Sequence, residues 1–268
     1  MEYYRGKIIL ITGAFGGFGR CFISKLLDFG ASLILCDAPQ SATTIRDKMT
    51  TLPEFSAGRE TQILSVISAD LSTAEGCRTL YEEYRKLGIG VDMIIHNAGI
   101  AYGGEYVDIP PDLNEKVINV NLYSVMRLNT LFLPELIRRR SGHLIYMSSV
   151  AGFVATPLAI SYSTSKFGLR AFAMALHGEI KKHGIRTSIV YPFFSKTPIL
   201  KSQQFGNPQV SVLPGFCATS AMQVVTSTLK GADKGRLHIY PGFFSKVMWL
   251  AVRLYPVISA QRKIHGYS

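Results

Sequence analysis

The sequence predicts an α/β protein: one domain built on a single doubly wound parallel sheet of about seven strands flanked by helices. Three observations predict it. Short apolar, β-branched runs alternate with helix-length segments along the chain, and that alternation builds βαβ units. Most of the runs are apolar throughout, as strands covered on both faces require. The first run leads directly into the glycine-rich stretch ITGAFGGFGRC, residues 11–21, so a tight turn joins the first strand to the first helix.

Taken in order, the expected strands are KIILIT at 7–12, SLILC at 32–36, ILSVIS at 63–68, MIIH at 93–96, HLIYMS at 143–148, RTSIVY at 186–191 and LHIY at 237–240. The expected helices span 17–29, 73–87, 112–139, 161–182 and 218–229. Two segments break the rhythm. Residues 193–216 are rich in Ser, Gln, Pro and Phe without a clear period, and read as a mobile substrate loop with a short helix. Residues 241–268 follow the last strand, with Phe243, Phe244, Trp249, Leu250, Leu254 and Tyr255 among basic residues. No linker, repeat or low-complexity tract interrupts the chain. Residues 1–242 are therefore expected to form the catalytic domain, and 243–268 an apolar and basic extension of it.

Composition narrows the partners. The 268 residues are 47% hydrophobic and only 18% charged, so extra surface is expected to be covered by a subunit, a lipid or a ligand. The net charge of +11 is dispersed, with no basic stripe interleaved with aromatics. That speaks against nucleic acid and leaves solvated faces, with attraction for an anionic cofactor or membrane surface as the other reading. Cys21, Cys36, Cys77 and Cys217 lie far apart with no CxxC, which argues against a metal site or disulfide framework. The opening MEYYRGKIILITG is not expected to be a signal peptide, since its apolar run is short and ends in glycines. A cytoplasmic protein is expected.

The tail KVMWLAVRLYPVISAQRK, residues 246–263, is too short and interrupted to span a membrane. Three readings stay open for it: covering the pocket or a subunit face, lying on a membrane surface through 243–263, or disorder.

The glycine stretch carries a Rossmann-type phosphate cradle. Glycines permit the turn and the close approach of backbone to a pyrophosphate, and the helix N-terminus adds free N–H groups. Gly13, Gly16, Gly17 and Gly19 satisfy both TGxxxGxG and TGxxGxxG. In the first spacing Gly13, Gly17 and Gly19 do the work beside Thr12, Phe15 and Phe18, and Gly16 is surplus. Asp37, eighteen residues after Gly19, ends the second strand, where a carboxylate bonds the adenosine ribose and repels a 2′-phosphate. No Arg or Lys stands at Ala14, Phe15 or Ala38, so NAD is expected in preference to NADP. Asp70, with Leu71, closes the third strand and is a candidate for the adenine amino group. Capping the helix from Thr73 competes for the same carboxylate. Asn97, Ala98 and Gly99 end the fourth strand, where small residues let backbone run beside the cofactor ribose.

Tyr162 and Lys166 are spaced i, i+4 and share a helix face. An adjacent ammonium favours the phenolate, which lowers a phenol pKa of about 10. Tyr162 then exchanges a proton with a substrate oxygen while hydride moves at carbon. Ser149, thirteen residues upstream at a strand end, is placed to bond the same oxygen. A surface Tyr–Lys pair on an amphipathic helix is the competing explanation.

These pieces resemble the short-chain dehydrogenase/reductase family over residues 7–242: TGAFGGFG at 12–19, Asp37, Asp70, NAG at 97–99, Asn121 in NVNL, Ser149 in MSSVAG, and YSTSK at 162–166. The resemblance implies that Lys166 also holds the nicotinamide ribose and that Asn121 joins a proton relay through water. It implies that Pro192 and Thr197 reach the nicotinamide carboxamide, although Phe193 replaces the family's glycine. A homodimer or homotetramer through helices 112–139 and 161–182 is implied too, with Phe167, Ala171 and Phe172 as candidate surface. His96 stands where the compact branch often has Asn and the longer epimerase and dehydratase branch often has His. NAG, NVNL and the Ser149–Tyr162 spacing fit the compact, classical branch, so His96 is read as a packing residue.

The leading expectation is an NAD-dependent oxidoreductase interconverting a secondary alcohol and a ketone. Phe153, Phe193, Phe194, Phe205 and the tail suggest an apolar, lipid- or steroid-like substrate. The alternatives are an epimerase or dehydratase with retained NAD, and a non-catalytic NAD-binding sensor or scaffold.

Overall fold

A computed structural model of the chain describes residues 1–39, 59–195, 197, 199, 202–206 and 218–254. Its centre is a seven-stranded parallel sheet. The strands are β1 (Ile8–Thr12), β2 (Ser32–Asp37), β3 (Ile63–Ser68), β4 (Met93–His96), β6 (Gly142–Met147), β7 (Ile185–Val190) and β9 (His238–Ile239), ordered β3-β2-β1-β4-β6-β7-β9. The order reverses between β1 and β4, and the carboxyl ends flanking such a reversal form the crevice in which this architecture binds ligands.

The unbroken apolar runs are explained by burial on both faces. Along β1, Leu10 joins the core on one side with Tyr84, Phe132 and Leu169. Ile9 and Ile11 join the other, with Phe22, Leu26 and Leu229. The covering helices are α1 (Gly17–Asp28), α2 (Ala74–Lys86), α3 (Pro111–Ile118), α4 (Ser124–Arg139), α5 (Ile160–Ile180) and α6 (Ala221–Asp233).

Local chemistry moves several boundaries from their expected places. Thr73 accepts a hydrogen bond from the Gly76 N–H and so starts α2 at Ala74. A capping box between Ser220 and Gln223 starts α6 three residues after the expected point. The expected helix 112–139 is divided into α3 and α4 by a π-helical turn, Asn119–Tyr123. A single-turn widening leaves the apolar period nearly intact, so periodicity does not reveal it, and such turns recur at functional sites.

Two features were not expected. A two-residue parallel ribbon pairs β5 (Gly103–Gly104) with β8 (Gln204–Phe205), linking the loop after β4 to the segment after β7. A thirteen-residue helix, α7 (Gly242–Leu254), forms in the tail. It is pinned where the Ser245 hydroxyl donates to the Tyr191 carbonyl at 2.5 Å, while Phe244 stacks on Phe193 and Trp249 meets Tyr240. The expected mobile loop at 193–216 falls largely outside the described residues, as do Cys217, Tyr255, Arg262 and Lys263.

Candidate active site

The crevice is closed at its base by a clamp between the ends of β1 and β4. The Thr12 hydroxyl accepts from the N–H groups of Asn97 and Ala98, both at 3.1 Å, and donates to the Ile95 carbonyl. The Asn97 side-chain amide donates to the carbonyls of Thr12 and Gly13 at 3.1 and 2.8 Å. Both side chains are thus spent on backbone, and their effect on any ligand runs through the position of Gly13 and Ala98. Gly13 has φ +62°, and a Cβ there would stand 2.7 Å from the Ala98 Cα. A Cβ at Gly19 would stand 2.3 Å from the Gly13 carbonyl oxygen. Glycine is therefore required at both positions. Gly16, at φ −69°, has only one ordinary contact at 3.4 Å. It stands as the N-cap of α1 and makes no side-chain cap bond.

Asp37 reaches across to this loop. One carboxylate oxygen accepts from the Phe15 N–H and the other from the Ala38 N–H, each at 2.8 Å. Burial pushes its pKa up, opposed by those two N–H bonds. Phe15 is buried and Phe18 half-buried against the α1 face of the core. Asp70 lies two residues beyond the end of β3 and is exposed. It closes the turn by accepting from the Ser72 N–H at 2.9 Å and does not cap α2, a task taken by Thr73. Its slight burial raises its pKa, and the Ser72 bonds with the Lys116 charge outweigh that, leaving it below the usual value. Leu71 is buried beside it.

The polar side chains expected to carry chemistry come from the end of β6, the π turn and α5. Ser149 follows β6, accepts from the Ala151 N–H at 3.1 Å and approaches the Pro192 carbonyl at 3.5 Å. Its hydroxyl lies close enough to the Tyr162 phenol to favour the phenolate. One turn further along α5, the Lys166 Nζ donates to the Met147 carbonyl at 2.8 Å and sits 5.6 Å from the Tyr162 ring centre. Gly99 lies beside it: a Cβ there would come within 3.5 Å of that Nζ. The π turn brings Asn121 inward, fully buried. Its Oδ1 accepts from the Ile100 N–H, and its Nδ2 donates to the Ile100 carbonyl and the Ser165 Oγ. Ser165 in turn donates to the Tyr162 carbonyl at 2.7 Å. Ser165 was missed as a positioning residue, although it is the second serine of YSTSK.

The titration of the pair differs from the expected one. Burial pushes the Tyr162 phenol above its ordinary value, opposed by the Ser149 hydrogen bond. Burial also pulls Lys166 down to about 8. The ammonium is directed at a backbone carbonyl rather than the phenol oxygen, so desolvation outweighs charge stabilisation of the phenolate.

After β7, Pro192 accepts from the Val150 N–H, and the Thr197 N–H and hydroxyl both donate to the Ser195 carbonyl. Phe153, expected to face substrate, is buried in the core against Tyr191 and Tyr240. Phe193 stacks on Phe244, and Phe205 meets Tyr102 edge-on across the ribbon. Phe172, expected on a subunit surface, turns inward against Tyr146, whereas Phe167 and Ala171 are exposed. His96 is a packing residue. It is buried, stacked on Tyr146 and bonded to Asn129 at 3.2 Å.

The fold and this arrangement define a nucleotide-binding α/β protein with a Ser–Tyr–Lys constellation, and comparison supplies the family. The family described as short chain dehydrogenase matches residues 7–207. The chain is 34% identical to human epidermal retinol dehydrogenase 2 over 212 residues, 78% of this chain and 66% of that protein. It is 31% identical to the bovine dehydrogenase/reductase SDR family member 7B over 196 residues, 73% of this chain. The match spans 60% of that bovine protein's length. A short chain dehydrogenase/reductase from Burkholderia phymatum in complex with NAD shares the fold, with TM-score 0.77 and 22% identity over 95% of this chain and 94% of that one. An NADP complex from Burkholderia cenocepacia J2315 does so with TM-score 0.74 at 18% identity, over 94% of this chain and 95% of that one. The chain belongs to the short-chain dehydrogenase/reductase family.

Proposed function

We propose that the protein is an NAD-dependent oxidoreductase that interconverts an apolar secondary alcohol and its ketone, with Tyr162 as general acid and base. The observation that carries this reading is the convergence of Ser149, Tyr162 and Lys166 at the carboxyl end of β6, with the Lys166 Nζ held on the Met147 carbonyl 5.6 Å from the Tyr162 ring centre.

The residues present suit a nicotinamide dinucleotide. The N-cap of α1 is Gly16, which has no side chain to cap the first turn, so among the described residues the first-turn N–H groups face the crevice where a pyrophosphate would sit. Backbone from Gly13, Phe15, Gly17, Phe18 and Gly19 would hold that group, with Thr12 fixing the turn. Asp37 would take the adenosine ribose, and its charge is the argument for NAD over NADP. Asp70 and Leu71 would border the adenine. Asn97, Ala98, Gly99 and Lys166 would border the second ribose, and Pro192 and Thr197 the carboxamide. Bound there, the nicotinamide supplies the acceptor or donor of hydride.

The chain's own residues handle the proton. A substrate oxygen between Ser149 and Tyr162 receives the phenol proton in reduction and returns it in oxidation. A phenol titrating at or above its ordinary value of about 10 is protonated at neutral pH, so the resting site is set to donate. Lys166, cationic below about pH 8, stabilises the phenolate as it forms. Asn121 and Ser165 hold the first residue of this helix face in place. The retinol dehydrogenase name of a relative supports a lipid-like alcohol as substrate.

Tyr162→Phe keeps the ring and removes the proton. It is expected to lower kcat on an alcohol or ketone substrate by roughly 10²–10⁴-fold while leaving NADH affinity unchanged. Full turnover by the variant defeats the mechanism, and tighter binding of NADPH than NADH by the native protein defeats the Asp37 argument. A homo-oligomer through α4 and α5 belongs to the same proposal. Met126, Phe167 and Met174 leave those helices with exposed apolar surface, and a monomeric mass in sedimentation would rule it out. We place the protein in the cytoplasm on its cysteine pattern, which subcellular fractionation tests.

A further inference from the structure

Helix α7 is apolar on two faces. One face is docked through Phe244, Ser245, Met248 and Trp249. The other presents Phe243, Val247, Leu250 and Leu254 to solvent, at i, i+4, i+7 and i+11. Phe243 is 73% exposed and Leu254 63%. That spacing draws a single stripe along the helix. Lys246 and Arg253 are exposed beside it, with the Arg253 guanidinium 5.4 Å from the Trp249 ring centre. No acidic residue occurs in the sequence after Asp233, whereas Lys234, Arg236, Lys246, Arg253, Arg262 and Lys263 all do.

We propose that this outer face of α7 docks on a lipid bilayer bearing anionic headgroups. An apolar stripe bordered by cations and free of acids matches such an interface, where side chains enter the acyl boundary and the cations stay at the headgroups. The charge pattern also disfavours a second copy as occupant. Pairing the stripe with itself would bring Lys246 and Arg253 of both copies together with no acid on either helix to balance them. No described helix is long and apolar enough to cross a membrane, so α7 lies along the surface. Phe194 borders its start: the Phe194 carbonyl accepts from the Thr219 N–H, and the Thr219 side chain lies beside Gly242. Docking therefore sets the segment after β7, at the substrate side of the site, against the lipid. The docking does not rest on the oxidoreductase reading, since it is read without turnover.

The test is co-sedimentation of the full chain with phosphatidylcholine vesicles, with and without phosphatidylserine, at about 0.1 M and about 1 M salt, where the Debye length falls from about 10 to about 3 Å. Binding is expected with phosphatidylserine, weaker at high salt, and at least about tenfold weaker for Val247→Glu/Leu250→Glu. Trp249 is the chain's only tryptophan, so its unchanged emission in buffer verifies that the variant helix stays docked on the protein. If that emission shifts, the milder Leu250→Ser replaces the variant in the same comparison. Three results overturn the proposal: equal capture by both vesicle types, equal capture of variant and native protein, or no capture together with a dimer mass that the variant abolishes.

Discussion

At the β1–β4 end of the crevice, polar side chains hold polar backbone at hydrogen-bond distances: Thr12 on Asn97 and Ala98, Asn97 on Gly13, Asp37 on Phe15. At the β7–α7 end, rings rest on rings: Phe193 on Phe244 at 5.8 Å, Tyr191 on Tyr240 at 5.0 Å, Tyr240 on Trp249 at 5.2 Å. The first end depends on backbone atoms placed to tenths of an ångström, and a small steric change there breaks it. The second depends on buried area, which side chains of similar volume can replace. Substitutions should therefore act as switches at one end and as adjustments at the other.

The sharpest way to break that comparison is Gly19→Ala. The added methyl would stand 2.3 Å from the Gly13 oxygen and 2.4 Å from the Ala14 oxygen, and neither atom is the end of a flexible side chain. The loop must move, so we expect NADH binding to fall below detection and stability to drop by at least about 1–3 kcal/mol. Gly16→Ala, with one contact at 3.4 Å and an extended backbone, is the control and should stay within about 0.5 kcal/mol. Calorimetric NADH titrations and thermal melts of the pair decide it. Similar behaviour of the two variants would show that the loop tolerates crowding.

That contrast between two neighbouring glycines marks what the sequence made readable. TGAFGGFG, NAG and YSTSK are local patterns, and the elements carrying them form where the apolar runs place them. The spacing could not show that Thr12 and Asn97 grip each other, because that contact joins residues 85 apart in sequence. Nor could it show that Asn121 sits in a π turn, since periodicity survives one extra residue. The Tyr162 phenol departs from the sequence expectation for a similar reason. An i, i+4 pairing fixes proximity along the helix, whereas burial and the Met147 carbonyl that takes the ammonium are set by β6. Aromatic residues were hardest to place. Phe153 and Phe193 look alike in sequence, yet one is core and the other meets the tail helix.

A further effect is expected on acidification. His96 and His143 are buried neutral, each pulled down by burial to about 3. Within the described residues, the His96 Nδ1 has no hydrogen-bond partner. Their folded pKa lies below the unfolded value near 6.5, so the unfolded chain binds the proton first. Stability is full above about pH 6.5 and falls as pH drops from there toward 3, by about 1.4 kcal/mol per unit for each histidine. His96 lies at the end of β4, under the clamp, so NADH affinity should decline along with the thermal midpoint. A midpoint that stays flat from pH 7 to 4 would show that neither histidine is held neutral.

The smallest effect, and the one that sharpens the comparison most, belongs to the aromatic end. Phe244→Leu removes the ring stacked on Phe193 but keeps an apolar side chain on the inner face of α7. Stacked aromatic pairs contribute about 0.5–1.5 kcal/mol beyond their area, so the melt should shift by no more than that. NADH affinity should not move, because no hydrogen bond of the β1–β4 clamp involves this residue. KM for an apolar substrate should rise by about three- to tenfold with kcat nearly constant, since uniform binding is lost rather than transition-state stabilisation. If kcat falls with KM unchanged, Phe193 and Phe244 position the reacting carbon, and the aromatic end belongs with the clamp as a part that tolerates no exchange.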